Sequence, residues 1–258
     1  MKTIKKISLI MAIALILLAI NNTVKATDTT VEEKVTETGF KYTLEVYSES
    51  YDLTITGTTN TNAKVLEIPD EIEGYKVNSI GEGAFKGLTS LEKVVFPENL
   101  KDVNGYAFSG CTNLKEVELN AEVTLYNKVF EGTAIETLVF PADESATSCG
   151  FDGSTLDGMN SLKSIYVYAK DKCWIYDNSV SDVAEMTAAT AEYLKNNVTI
   201  YGYSSTYPED DSINSVSLTP KGLAQKRGIK FVDLATLEEI TLEDKETKVT
   251  LWGNIGKI

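Results

Sequence analysis

Two kinds of side chain in this sequence could do chemistry: carboxylates set side by side, and three cysteines. Glu209, Asp210 and Asp211 form one acidic run, and Glu238 and Glu239 with Glu243 and Asp244 form another. Such groups can hold calcium or work as a general acid and base, provided the fold converges them on one point. A calcium loop spaces its ligands as D-x-D-x-D-G, so that alternate side chains and a tight glycine turn wrap one ion. That frame is missing, and acids adjacent in sequence point apart or into water, so both runs read as solvated surface. Histidine is absent from all 258 residues. This excludes the Ser-His-Asp triad, the Cys-His pair, the HExxH zinc helix and any histidine base. Glycine-rich nucleotide fingerprints are missing too. No catalytic residue, metal ligand or cofactor is assigned.

Cys111, Cys149 and Cys173 are too few and too scattered for a zinc site or a disulfide-stapled small domain. Cys111 occupies a position that Leu88, Thr133 and Met159 fill elsewhere in a repeated pattern set out below. A slot that accepts leucine, threonine and methionine is a packing slot. Cys149 and Cys173 lie outside that pattern, the first in an insert and the second after a strand. In an oxidising compartment they can pair across a loop of about two dozen residues or remain two free thiols.

The compartment follows from the first residues. MKTIKK leads into ISLIMAIALILLAI (7–20), an apolar run of about 14 residues, shorter than the roughly 20 a membrane-crossing helix needs. Val24 and Ala26 are small residues that a signal peptidase accepts. Residues 1–26 are therefore expected to be a cleaved signal peptide, and the remainder to be secreted, extracellular, and either released or held at the cell surface. Residues 1–26 hold four of the 24 basic side chains and none of the 38 acidic ones, which leaves 20 against 38, a formal charge of -18. Nucleic acid and anionic membranes are held by lysine and arginine displacing counterions. No basic cluster remains after cleavage, so nucleic acid is excluded as a partner and no membrane insertion is expected.

The elements that would position a site come from a repeat. GAFKGLTSLEKVVFP (83–97), YAFSGCTNLKEVELN (106–120), KVFEGTAIETLVFP (128–141) and STLDGMNSLKSIYVY (154–168) align with one another. Phe85, Phe108, Phe130 and Leu156 share a column, as do Gly87, Gly110, Gly132 and Gly158; Leu91, Leu114, Ile135 and Leu162 then open an alternating run. The first column advances by 23, 22 and 26 positions, the length of one strand-plus-return coil in leucine-rich repeats. Within a run, Leu91, Val94 and Phe96 point inward while Lys93 and Val95 point outward, as a strand demands. The glycine column suits a turn at positive φ, and the aromatic column fills the space between strand and return. One coil cannot bury its apolar side alone; stacked coils set strands about 4.8 Å apart in a parallel sheet over a continuous core. VLEIPDEIEGYKVNSIGEGAF (65–85) reads as an earlier, longer coil. FKYTLEVYSESYDLTITGT (40–58) alternates on both sides of a polar turn and reads as a hairpin covering the open end of the sheet.

The units EIPDEIEGYKVNSIGEGAF and FPENLKDVNGYAFSGCTNLKEVEL resemble the BspA-like leucine-rich repeats of secreted and surface bacterial proteins. The likeness lies in the isoleucine-proline strand end, the isoleucine-glycine turn, the alanine-phenylalanine pair, and the cysteine or small residue before the leucine. It covers residues 40–170 and weakens after the second coil, where Val129 replaces the alanine, Leu156 the phenylalanine, and residues 142–150 interrupt the third return. VTIYGYSSTY (198–207) and LTPKGLAQKRGIKFVDL (218–234) are similar to the family's terminal coil, with the polar insert 208–217 departing from it. The resemblance implies a β-rich repeat solenoid, a right-handed leucine-rich-repeat-type stack with a parallel strand sheet and short return segments. Its parts would be a signal peptide (1–26), a flexible leader (27–39), an N-terminal β-hairpin cap (40–62), repeat coils (63–170), irregular terminal coils with a C-terminal cap and a short helix near 184–196 (171–236), and a strand-like tail that resembles the opening of a further domain (237–258).

Counted from the strand ends, one outward column holds Val65, Lys93, Glu116, Thr137 and Ser164, and the next holds Glu67, Val95, Glu118, Val139 and Tyr166, with Tyr168 beyond. The exposed strand side is the usual recognition surface of such repeats. Lys93, Val95, Glu116, Glu118, Thr137, Val139, Ser164, Tyr166 and Tyr168 are accordingly the candidate ligand-binding residues. Five strands span only about 19 Å, a footprint below the roughly 800 Å² per partner of a stable protein interface. The family resemblance implies adhesion to host matrix proteins, other cells or surface polymers, so the expected partner is an extracellular protein or glycan. The alternative is a structural or targeting module of a larger surface protein or of a polymer-degrading enzyme.

Overall fold

A computed structural model describes residues 31–119, 123–141, 149–168, 173–176, 186–204 and 219–236, with the backbone alone for residues 149, 173, 174 and 176. The expected signal peptide, both acidic runs, the insert 208–217 and the tail 237–258 lie outside these residues. In chain order the strands are β1 (Lys34–Val35), β2 (Phe40–Val46), β3 (Tyr51–Thr58), β4 (Val65–Glu67), β5 (Glu71–Ile72), β6 (Tyr75–Lys76), β7 (Ser79–Ile80), β8 (Lys93–Val95), β9 (Asp102–Val103), β10 (Glu116–Glu118), β11 (Thr124–Leu125), β12 (Thr137–Phe140), β13 (Cys149–Asp152), β14 (Ser164–Val167), β15 (Cys173–Tyr176), β16 (Thr199–Gly202) and β17 (Lys230–Asp233). Helix α1 (Ala188–Asn197) precedes β16, and α2 (Pro220–Arg227) precedes β17.

Each coil contributes one strand to a front sheet and, in its return, one to a back sheet. Front strands pair in parallel in two groups, ordered β10-β8-β4 and β12-β14-β16-β17. The pleat sorts them as the alternation requires: in β12, β14 and β16 every second residue is buried and those between are half-exposed. Ser79, Asp102 and Thr124, with Ile80, Val103 and Leu125 beside them, form the parallel back-sheet ladder of β7, β9 and β11. That sheet continues through β13 and β15 into an eight-stranded array with β1, β2 and β3 at its other end. The sequence reading expected only short return segments. Buried Ile80, Val103, Leu125, Phe151 and Ile175 at equivalent places explain why these returns are strands. They face the front-sheet side chains across one core.

Between the two sheets run the turn arcs, which are hydrogen-bonded coil to coil. Phe85 N donates to Ala107 O at 2.8 Å, Phe108 N to Val129 O at 2.9 Å, Gly87 N to Ser109 O at 2.8 Å, Gly110 N to Glu131 O at 2.7 Å and Gly132 N to Gly158 O at 3.0 Å. Inside the arcs Phe85, Phe108 and Phe130 line up in a single row, with ring centroids 5.1 and 5.8 Å apart and planes tilted 23° and 25°. Leu156 takes the next place, also fully buried.

The hairpin of β2 and β3 is antiparallel, with a register shift between Lys41 and Tyr42, and buries Phe40, Tyr42, Leu53 and Ile55. β3 pairs in parallel with β7, so the hairpin extends the back sheet rather than the front one. Part of the expected leader is ordered against it: β1 pairs with β2, and Glu33 accepts from Thr56 Oγ1 at 2.7 Å and pairs with Lys41 at 3.4 Å. At the other end helices stand before the last two front strands. α1 is capped by Thr187, which accepts from Thr190 N, and buries Thr190 and Leu194. α2 is capped by Thr219, starts with Pro220 and ends at Gly228 with φ 68°, the proline-first, glycine-last order that suits a short helix. Cys149 and Cys173, read from the sequence as lying in an insert and after a strand, fall on β13 and β15, and the parallel register sets them directly opposite each other.

Candidate ligand-binding face

The front strands carry all nine candidate residues except Tyr168, which follows β14 by one position. The register places them as the columns require: Lys93 lies beside Val65 and Glu116, and Val95 beside Glu67 and Glu118. Thr137 lies beside Ser164, and Val139 beside Tyr166. The expected single run of five strands is, however, broken. β10 and β12 do not pair in either sheet. The break coincides with a shorter arc: from Phe130 to Ile135 is five positions, whereas Phe85 to Leu91 and Phe108 to Leu114 are six. Ala134 N still reaches Leu114 O at 2.9 Å, but the strands beyond do not form a ladder. The candidate residues therefore fall into two faces, which differ in chemistry.

The three-stranded face is charged. Lys93 bonds to Glu118 and stands 3.7 Å from Glu116, with its own side chain only 24% exposed. The Glu118 bond raises the lysine's proton affinity, against an opposing effect of burial. Its ammonium is thus already committed to two carboxylates of the neighbouring strand. Lys64 and Glu92 add a third pair at 2.8 Å just before β4 and β8. Exposed pairs like this one contribute little to stability.

The four-stranded face is built of hydroxyls, valines and tyrosines. Thr137 and Ser164 share a hydrogen bond at 3.0 Å, and Thr199 continues their column. In the next column Tyr166 stacks on Tyr201 with centroids 4.4 Å apart and planes 7° from parallel. Tyr168 lies 6.0 Å from Tyr166 at 11°. Burial, followed by the neighbouring phenol of Tyr201, raises the proton affinity of Tyr166; burial, followed by Tyr166 and Tyr203, raises that of Tyr168. Thr199, Tyr201, Val232 and the exposed Lys230 complete this face and were missed from sequence. The signal was present, because VTIYGY alternates as SIYVY does, but the register joining the two segments spans about 35 residues that include a helix.

No arrangement among the described residues gathers three or more of the metal-ligating side chains His, Cys, Asp and Glu. The buried acids serve the backbone. Asp152 accepts from Thr155 N and Ser154 Oγ, both at 2.7 Å, and Asp157 accepts from Thr187 N at 3.1 Å and Thr187 Oγ1 at 2.9 Å. Burial raises the Asp152 carboxyl while these hydrogen bonds pull it down. Cys111 is fully buried and its thiol donates to Phe85 O at 3.1 Å, so it packs as its column indicated. Among the described residues no helix is long and apolar enough to cross a membrane.

Residues 58–157 match the family described as BspA type leucine-rich repeat region, in six copies. No curated protein matches the chain. Among solved structures, a leucine-rich repeat protein of T. pallidum is 19% identical, with 69% of this chain and 71% of that one covered and a TM-score of 0.45. A leucine-rich repeat protein from Bacteroides capillosus is 22% identical over 52% of this chain and 97% of that one, with a TM-score of 0.41.

Proposed function

Starting from the BspA-type leucine-rich repeats of residues 58–157, we propose that this chain is a secreted or cell-surface binding module. It is non-catalytic, and it recognises an extracellular protein or glycan of a host matrix or cell surface through its front strands. The observation that carries this reading is the register of the outward columns: in-line parallel strands hold Lys93, Val95, Glu116 and Glu118 on one face, and Thr137, Val139, Ser164 and Tyr166 on another. A sheet whose backbone is fixed by a ladder needs no ordering of its main chain on binding. Residues 1–26 act as the export signal, consistent with their basic start and short apolar run. The hairpin within 40–62 serves as an N-terminal cap, because it pairs with β7 and covers that end of the back sheet. The coils wind right-handed, following the rule for parallel β crossovers.

Each face is small, so single-site binding is weak and many copies on a surface raise it through avidity. The test is to pass the purified protein over immobilised matrix proteins, mucins and cell-wall glycans, with Tyr166→Ala and Glu118→Lys alongside. Capture of the parent that one of these variants loses supports the reading. Capture that both variants retain moves the site off the front strands.

A further inference from the structure

We propose that the four-stranded face is a platform for an uncharged glycan, seated on Tyr166, Tyr168 and Tyr201. This deepens the reading that the front strands bind, rests on it, and commits it to one ligand chemistry.

The first argument is charge. The three-stranded face carries Glu67, Lys93, Glu116 and Glu118, whereas the three adjacent strands β12, β14 and β16 of the four-stranded face present Thr137, Ser164 and Thr199 in one column and Val139, Tyr166 and Tyr201 in the next. The first ionised side chain met on these columns is Lys230, on edge strand β17, and the Lys163–Glu136 pair, 2.7 Å apart just before β14 and β12, flanks them as a unit of no net charge. An uncharged patch on a chain with 38 acidic and 24 basic residues is a local departure from its composition. A polyanion is repelled by the molecule as a whole, and a cationic partner finds its complement on the acidic surfaces elsewhere. What this patch complements is a ligand without charge.

The second argument is geometry. The tyrosine rings stand as a near-parallel block, 4.4 and 6.0 Å apart at 7° and 11°. Each ring restricts its neighbour, so the platform is preorganised and binding does not have to order it. Both phenols carry their O–H at neutral pH, as any phenol does, and burial raises the proton affinity of Tyr166 and Tyr168 further. Tyr166 and Tyr201 cover their facing sides with each other, so the block offers its ring edges and outer faces, flanked by phenol, threonine and serine hydroxyls. A pyranose unit has the matching mixture: C–H surface on its faces and hydroxyls at its edge.

The third argument is size. Three strands at about 4.8 Å spacing, two outward residues deep, make a patch of roughly 15 Å by 10 Å, far below the roughly 800 Å² a stable protein partner covers. Such a patch holds a few sugar rings.

The test is native affinity electrophoresis of the full secreted protein through gels containing a neutral β-glucan, a mannan or acidic polygalacturonate, with capture on immobilised gelatin in parallel. At least one neutral polysaccharide is expected to retard the parent and polygalacturonate to leave it unmoved. Tyr166→Ala, Tyr201→Ala and Ser164→Glu are each expected to weaken the retardation at least tenfold. Ser164→Glu keeps the ring stack and adds a charge beside it, so it decides the matter if an alanine variant does not fold. Absence of retardation by both neutral polysaccharides overturns the proposal, as does retardation that Ser164→Glu leaves unchanged. If the proposal fails while gelatin captures the parent and Glu118→Lys abolishes that capture, the broader reading of the front strands stands. Should neither gels nor gelatin hold the parent, both fall.

Discussion

Phe108 has a ring of its own kind on either side along the stack and is completely buried, with Phe96 a further 5.8 Å away. Truncating it leaves a cavity in the middle of a row that cannot collapse without breaking the arc ladder. Phe108→Ala is therefore expected to cost about 3–5 kcal/mol, read from urea unfolding. Cys111 beside this row offers a pH-dependent test. Burial pushes its thiol from an ordinary 9.0 up to about 11. The folded state thus holds this proton more tightly than the unfolded chain, and the associated stability is fully present below pH 9 and lost as pH rises through 11. Cys111→Ala is expected to flatten the decline of melting temperature across that window relative to the parent. An identical slope would show that another group controls it.

The arcs depend on backbone conformations that only some residues hold comfortably. Gly87, Gly110, Gly132 and Gly158 have φ of 75°, 75°, 72° and 75°, in the left-handed region where a side chain meets the backbone. A Cβ on Gly158 would also come within 2.7 Å of Glu131 Cγ. At the start of each arc a second column takes the same conformation: Gly83 at 63°, then Tyr106 at 59° and Lys128 at 52°. Tyr106 gains some return from Lys86 and Lys128, whose ammonium groups lie 5.3 and 6.0 Å from its ring, an attraction of about 0.5–1 kcal/mol at exposed sites. The two columns predict opposite responses. Gly110→Ala should destabilise by about 1 kcal/mol or more, whereas Lys128→Gly should be neutral or stabilising by up to about 1 kcal/mol. Chemical denaturation of the pair, with the midpoint compared at constant slope, checks both signs.

Across the whole molecule, the excess of acid over base is expected to oppose compaction more than the Lys–Glu pairs among the described residues support it. Each Lys–Glu pair has at least one partner whose side chain is 39% or more exposed, so each is worth little. Raising NaCl from about 10 mM to 150 mM shortens the screening length from about 30 Å to about 8 Å. The melting temperature is expected to rise over this range, as self-repulsion is screened; a fall would mean that the ion pairs dominate. Repeat stacking also makes stability a sum of neighbour interfaces. Leu53→Ala in the hairpin and Leu194→Ala in α1 share no partner coil, so the double variant's loss is expected to equal the sum of the single losses to within about 0.5 kcal/mol.

The sequence by itself determined the coil. Column identity from Phe85 to Leu156, the glycines at positive φ, and the inward and outward sorting of each front strand depend on local spacing and on the pleat's period of two. Such signals survive without knowledge of neighbours. Tertiary structure decided how the coils add up. Whether a return such as Ser79–Ile80 becomes a strand depends on hydrogen bonds from the coils on either side. The one-residue shortening before Ile135 has its consequence only in the break between β10 and β12. Tyr201 joins Tyr166 only because α1 brings the chain back to the sheet. Spacing within a coil is written along the chain, whereas the face that meets a ligand is assembled from strands whose adjacency only packing creates.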